Sequence, residues 1–128
     1  MARGHARIMS TIWNDPEFVS LTANAQRVYL LALSQANLNY AGVLPFTAKR
    51  WAGLARDTKP AQMQRALDEL TAGRFVIYDD DTDELLVRSF VKNDGVLKSP
   101  NLCVAMVKDY NAVLSPIIRA AIIAELPN

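Results

Sequence analysis

The chain has one cysteine, Cys103, and one histidine, His5, in 128 residues. A lone thiol forms no internal disulfide, and a single imidazole leaves no set of soft ligands for a structural zinc site, so no metal is expected and a reducing cytoplasm fits the composition. Glycine is sparse, with five residues spread singly, and no Gly-rich phosphate cradle can be drawn from them. Long hydrophobic runs are missing as well. Behind Arg3 and Arg7, Ile8 and Met9 give way at once to Ser10 and Thr11, which is too short for a signal peptide. The apolar stretch Leu102 to Leu126 is broken by Lys108, Asp109, Asn111, Pro116, Arg119 and Glu125. It reads as buried helix and not as a membrane span. Neither paired catalytic carboxylates nor a Ser-His-Asp set can be assembled, so neither an enzyme nor a cofactor is expected.

What is present is the composition of a compact fold of one-domain size, 51% hydrophobic and 21% charged. Fourteen basic residues against 13 acidic ones give a formal charge of +1, which lacks the overall basicity typical of nucleic-acid binders. The balance is uneven. Asp79, Asp80, Asp81, Asp83 and Glu84 cluster in one turn, leaving 14 basic groups against 8 acidic ones, or +6, elsewhere.

The first segment, Ile12 to Phe18, has the marks of a capped turn, with Asn14 or Asp15 as N-cap and Pro16 at the first helical position. Thr22 caps a helix with Ala25, Val28, Tyr29, Ala32, Leu33 and Ala36 on one face, and Asn39 and Gly42 follow its end. Val43 to Phe46 is too short and proline-broken for more than an edge strand. Thr47 starts a helix through Lys49, Arg50, Trp51, Leu54 and Ala55. About three residues on, with Asp57 or Thr58 as cap, a second begins at Lys59 and closes at Gly73 as its C-cap. Its apolar stripe is Met63, Ala66, Leu67 and Leu70, with Lys59, Gln62, Arg65, Asp68 and Glu69 facing away. Phe75 to Tyr78 and Leu85 to Val91, joined by the acidic turn, predict a β-hairpin. After the link Lys92 to Gly95, Ser99-Pro100 and Ser115-Pro116 mark two closing helices.

Helices joined by a tight turn and followed by a hairpin give the order of a winged helix-turn-helix. The fold class expected is mainly α within α+β: residues 7–95 form the winged domain, with a two-stranded wing, and residues 96–128 a helical extension. In such a domain the second helix of the turn presents side chains to base edges in a major groove about 12 Å wide. The DNA-binding candidates are Thr47, Lys49, Arg50, Arg56, Thr58, Lys59, Gln62 and Arg65. Arg65 suits guanine and Gln62 adenine, while the flanking cations suit phosphates. Arg3 and Arg7 could form a phosphate or minor-groove arm. His5 reads as a solvated tail residue, and Cys103 as a small packing residue.

Several motifs resemble the winged-helix proteins of actinobacteria and their phages: Ile12-Trp13-Asn14-Asp15-Pro16-Glu17-Phe18, Ala25-Gln26-Arg27-Val28-Tyr29-Leu30, Gly42-Val43-Leu44-Pro45, Lys49-Arg50-Trp51-Ala52 and Leu86-Val87-Arg88-Ser89-Phe90. That family is similar to the N-terminal DNA-binding domain of phage replisome organisers. The resemblance covers roughly Arg7 to Val91. It implies binding of double-stranded DNA in replication initiation or transcriptional regulation, without catalytic residues to transfer. The acidic hairpin tip departs from the basic wing of many such domains.

The tail residues Ile117, Ile118, Ala121 and Ile122 lie on an almost all-apolar helix that must be covered. Either it packs back on the domain or it pairs two copies as a homodimer, which suits a two-fold DNA site. The alternative function is a protein-interaction module, in which the acidic wing and apolar tail hold a replisome or regulatory subunit.

Overall fold

The structure, a computed structural model, describes residues 3–93 and 95–127. Asp94, expected in the link after the hairpin, and Asn128 lie outside the described residues. The protein is mixed α+β, with helices packed around a three-stranded antiparallel sheet. No helix among the described residues is long and apolar enough to cross a membrane.

After a 3-10 turn at Ser10–Asn14 comes α1, Pro16–Val19. Asp15 is its cap: the carboxylate accepts the Glu17 N–H at 2.9 Å, while Pro16 has no N–H to satisfy. Thr22 caps α2, Ala23–Leu33, its Oγ1 accepting the Ala25 N–H at 3.2 Å. The helix ends at Leu33, before Ala36, which the apolar spacing had included. Ser34 sits at the C-cap and its hydroxyl donates to the Leu30 carbonyl at 2.9 Å, a local bond that competes with continued helix. Beyond it, the Asn39 carboxamide accepts the N–H groups of Ala41 (2.9 Å) and Val43 (3.0 Å). Gly42 turns the chain at φ 84°, where a Cβ would stand 3.1 Å from both the Val87 carbonyl and the Phe90 Cβ. Only glycine allows that approach without strain.

The turn delivers β1, Val43–Pro45, onto β3, Glu84–Val87, which also pairs with β2, Val76–Asp79, in the order β1-β3-β2. The expected two-stranded hairpin is therefore part of a three-stranded sheet. The short segment at Val43 is a true edge strand, and its proline stands at its end. β3 stops at Val87, earlier than the predicted Val91. Opposite Val87 lies Val76, the first residue of β2, so the ladder runs out. Phe90–Asn93 instead form a helical turn, α5, that buries Phe90 and Val91.

α3, Ala48–Ala52, is shorter than predicted, and residues 53–59 connect it to α4, Pro60–Ala72. Leu54 and Ala55 belong to tight turns here, donating to the carbonyls of Trp51 (3.0 Å) and Ala52 (3.4 Å). At the far end of α4 the Phe75 N–H donates to the Leu70 carbonyl at 2.9 Å and Arg74 donates to Thr71 at 3.1 Å, the pair of bonds that ends a helix in a left-handed residue. That residue is Arg74, at φ 64°, whereas Gly73 keeps right-handed dihedrals. A Cβ on Gly73 would lie 3.0 Å from the Phe75 ring. Gly73 thus makes room for an aromatic side chain, and its neighbour takes the left-handed turn. Phe75 packs edge-to-face on Phe18 and Tyr29, with centroids 6.2 and 5.6 Å away.

Ser99 and Ser115 cap α6, Pro100–Ala112, and α7, Pro116–Glu125, as the Ser-Pro pairs predict. α7 lies on the hairpin and is fastened at both ends. The Glu84 carboxylate accepts the N–H groups of Leu114 (3.0 Å) and Ser115 (2.7 Å), and Arg88 pairs with Glu125 at 2.7 Å. Between them Ile118 and Ile122 are buried in the common core. The proposed dimer face is thereby corrected: Ile118 and Ile122 face the chain's own sheet, Ala121 is half-buried, and only Ile117, 63% accessible, remains outside. α6 also departs from the expected buried helix, since it fully buries only Met106 and exposes Val104 and Val107.

Urea unfolding checks three substitutions. Ile118→Ala should lower stability by about 2–5 kcal/mol, while Ile117→Ala stays within about 0.5 kcal/mol. Arg74→Gly should raise stability by about 0.5–1 kcal/mol, because a left-handed non-glycine residue is relieved at a modest gain in unfolded-chain entropy.

Candidate nucleic-acid interface

α4 is set by its buried stripe, Met63, Ala66, Leu67 and Leu70, against α2, α3 and β2. A helical step of about 100° per residue turns Ala61, Arg65, Asp68 and Ala72 to the opposite side, and all four are exposed, with Gln64 beside them. Gln62 and Glu69 do not belong to that outward face, contrary to expectation. They lie on the flank towards α2 and are half-buried. The Glu69 carboxylate accepts the Thr22 N–H at 2.8 Å and the Thr22 hydroxyl at 2.7 Å. The Gln62 side-chain oxygen accepts the Lys59 N–H at 2.7 Å, and its carbonyl accepts from the Asn24 amide at 3.2 Å. Gln62 is thus committed to holding the start of α4 and is a poor candidate for reading adenine. Ala61 and Gln64 were not among the residues expected at this face. The same 100° step, measured from the centre of the apolar stripe, finds Ala61 directly.

Lys59 is the N-cap of α4, in place of Asp57 or Thr58. Pro60 forces the residue before it into extended backbone, observed at φ −105° and ψ 155°. Lys59 and Arg65 are exposed along the first turns, and Thr58 is half-buried. Lys49 and Arg50 are exposed on α3, which packs on α4, and Arg56 is exposed in the connecting turn. Thr47 holds the N-cap position of α3 without a side-chain cap bond. Among the described residues, none of Lys49, Arg50, Arg56, Lys59 and Arg65 forms an ion pair within 4.0 Å. The acids on the same surface are Asp57 and Asp68, and the latter accepts the Gln64 amide at 3.0 Å.

The N-terminal arm is corrected for Arg3. Its guanidinium donates to the carbonyls of Leu33 (2.6 Å) and Gln35 (2.9 Å), and it stands 5.4 Å from the centroid of the Phe90 ring. A cation at the C-terminal carbonyls of α2 suits the helix dipole, and it occupies the group that the arm needed. Arg7 is exposed beside Ile8 and Asn93 in the wall of a surface cavity. His5 is exposed.

The acidic tip is partly tied into the chain. Glu84 holds α7, Asp83 accepts the Tyr78 hydroxyl at 2.9 Å, and Asp79 is buried and accepts the Asp81 N–H at 3.0 Å. Partial burial, then the bond to Asp83, push the Tyr78 phenol up to about 12. Asp79, Asp80 and Asp81 bring carboxylate oxygens within 4.8 Å of one another. Only Asp80, Asp81 and Asp83 face water to any large extent.

Comparisons with family models, with curated proteins and with solved structures find nothing that matches this chain.

Because Glu69 joins the start of α2 to the third turn of α4, Glu69→Ala should cost about 1 kcal/mol in urea unfolding, near the loss of a helix cap. Glu69→Gln should recover part of that loss, since its amide oxygen still accepts one of the two Thr22 bonds.

Proposed function

We propose that the protein binds double-stranded DNA as a winged helix-turn-helix protein of phage type, in replication initiation or transcriptional regulation within a bacterial cytoplasm. The observation that carries this reading is the exposed, unpaired set of cations Lys49, Arg50, Arg56, Lys59 and Arg65 around the first turns of α4, among the described residues. α4 itself is rigidly seated through Thr22, Asn24 and its apolar stripe. In this reading α3, the connecting turn and α4 are the helix-turn-helix, and β2 and β3 are the wing. Lys59, Ala61, Gln64 and Arg65 face the major groove, where Ala61 suits a thymine methyl and Arg65 a guanine edge. Lys49, Arg50 and Arg56 meet phosphates. The wing tip, tied to α7 and acidic, stays off the DNA. Two copies on a two-fold site would meet through exposed Val104, Val107, Leu114 and Ile117, since Ile118 and Ile122 are buried.

The alternative module, holding a protein through acidic wing and apolar tail, is left with less surface, because Glu84, Asp79, Ile118 and Ile122 are occupied within the chain.

Fluorescence anisotropy on duplexes drawn from a random-library selection tests the proposal. Binding should weaken with salt, and Arg50→Ala and Arg56→Ala should each reduce the slope of log Kobs against log salt by about one. Arg65→Ala should cost about 1–3 kcal/mol and relax the preference at one base pair. Duplex affinity at low salt no greater than that of an unrelated neutral protein would sink the reading.

A further inference from the structure

The outward face of α4 holds an acid among its cations. The helix has two acids, Asp68 and Glu69. Glu69 is held by Thr22, whereas Asp68 is exposed on the side that carries Ala61 and Arg65. A carboxylate on a surface that meets phosphates weakens binding to every sequence alike. A loss common to all sequences is useful only where it sharpens the choice among them.

Asp68 touches one side chain. Its carboxylate accepts the Gln64 side-chain N–H at 3.0 Å, across one turn of the helix. Both residues are exposed, and among the described residues Asp68 forms no ion pair within 4.0 Å, although Arg65 stands three residues before it. An ionised carboxylate has acceptors and no donor, so the end of the Gln64 amide beside it is the NH2 group. The amide oxygen, Oε1, is thereby turned away from Asp68. A glutamine without such a partner exchanges its donor and acceptor ends by a half-turn of the terminal torsion. Gln64 is held in one sense, with Oε1 as an acceptor and the second amide N–H as a donor left free.

We infer that Gln64 reads adenine and that Asp68 is the positioning residue that fixes its donor and acceptor ends. The inference rests on α4 lying in the major groove of double-stranded DNA. There adenine offers the N6 amine as donor and N7 as acceptor, which match Oε1 and the remaining N–H of Gln64. Guanine offers two acceptors, N7 and O6, and its O6 would face Oε1, oxygen against oxygen. Gln62, which the sequence suggests for this role, is occupied at the start of α4.

The test is a random-library selection on duplex DNA with the whole chain, repeated for Gln64→Ala, Asp68→Ala and Asp68→Asn, with circular dichroism to check that each variant is folded. The wild type should prefer adenine at one position by about five- to 150-fold, and Gln64→Ala should lose that preference there and nowhere else. Asp68→Ala should lose most of it at the same position, while binding random-sequence duplex severalfold more tightly at low salt. Asp68→Asn keeps an acceptor oxygen and removes the charge. It should therefore gain the same general affinity and retain most of the adenine preference. In the Gln64→Ala background, Asp68→Ala should change no base preference. A Gln–Asp pair that only steadies the helix would shift unfolding and leave base preference untouched. The inference is overturned, with the DNA reading left standing, if Asp68→Ala keeps the adenine preference, if Asp68→Asn loses it equally, if Gln64→Ala relaxes a different base, or if random duplex is bound no more tightly. No duplex binding by the wild type would remove both.

Discussion

The burial of one stripe on α4, Met63, Ala66, Leu67 and Leu70, is the constraint from which the remaining geometry descends. Once those four side chains leave water, the azimuth of every other residue on the helix is fixed, and so are the side that meets solvent and the flank that meets α2. Hydrophobic burial is non-directional and tolerates rotation of a packed cylinder by some degrees. The polar contacts of Glu69 and Gln62 with the start of α2 are directional, and they remove that remaining latitude. Apolar area supplies the stability and a few hydrogen bonds supply the orientation.

The same division of labour recurs at the other end of the molecule. Ile118 and Ile122 give α7 a reason to lie on the sheet, and Glu84 and Arg88 decide where it lies. The acidic turn therefore has a mainly architectural role. A run of five acids reads in sequence as a charged, solvated tip, yet three of its carboxylates accept bonds from the chain itself. What the surface keeps is Asp80, Asp81 and Asp83, with the exposed cations Lys49, Arg50, Arg56, Lys59 and Arg65 elsewhere on the body.

Features with a local cause were legible in the sequence. Asp15, Thr22, Ser99 and Ser115 cap their helices because a short side-chain oxygen and a following proline or apolar turn suffice to specify a helix start. The alternation around the acidic turn likewise announces the hairpin. Features that depend on a distant partner were not. β1 adds itself to the sheet through a turn organised by Asn39 and Gly42, α2 ends early where Arg3 takes its carbonyls, and Ile118 looks no different from Ile117 until the sheet is present. At the end of α4 the glycine pointed one residue away from the left-handed position, because the Phe75 ring competes for the space over Gly73. In the candidate interface Lys59 and Arg65 were placed correctly on the exposed side, and Gln62 was misplaced because a flank residue and a face residue differ only in angle.

The two fastenings of α7 also set a length. From Glu84 to Arg88 an extended chain advances four residues, about 13–14 Å. From Ser115 to Glu125 a helix advances ten residues, about 15 Å. Helix and strand are thus commensurate, and each end of one meets its partner on the other. A residue inserted into α7 would displace Glu125 by about 1.5 Å and swing it by about 100°, so the two fastenings could not both survive. The tail is therefore intolerant of length change within the helix, in a way that substitution of its exposed residues is not.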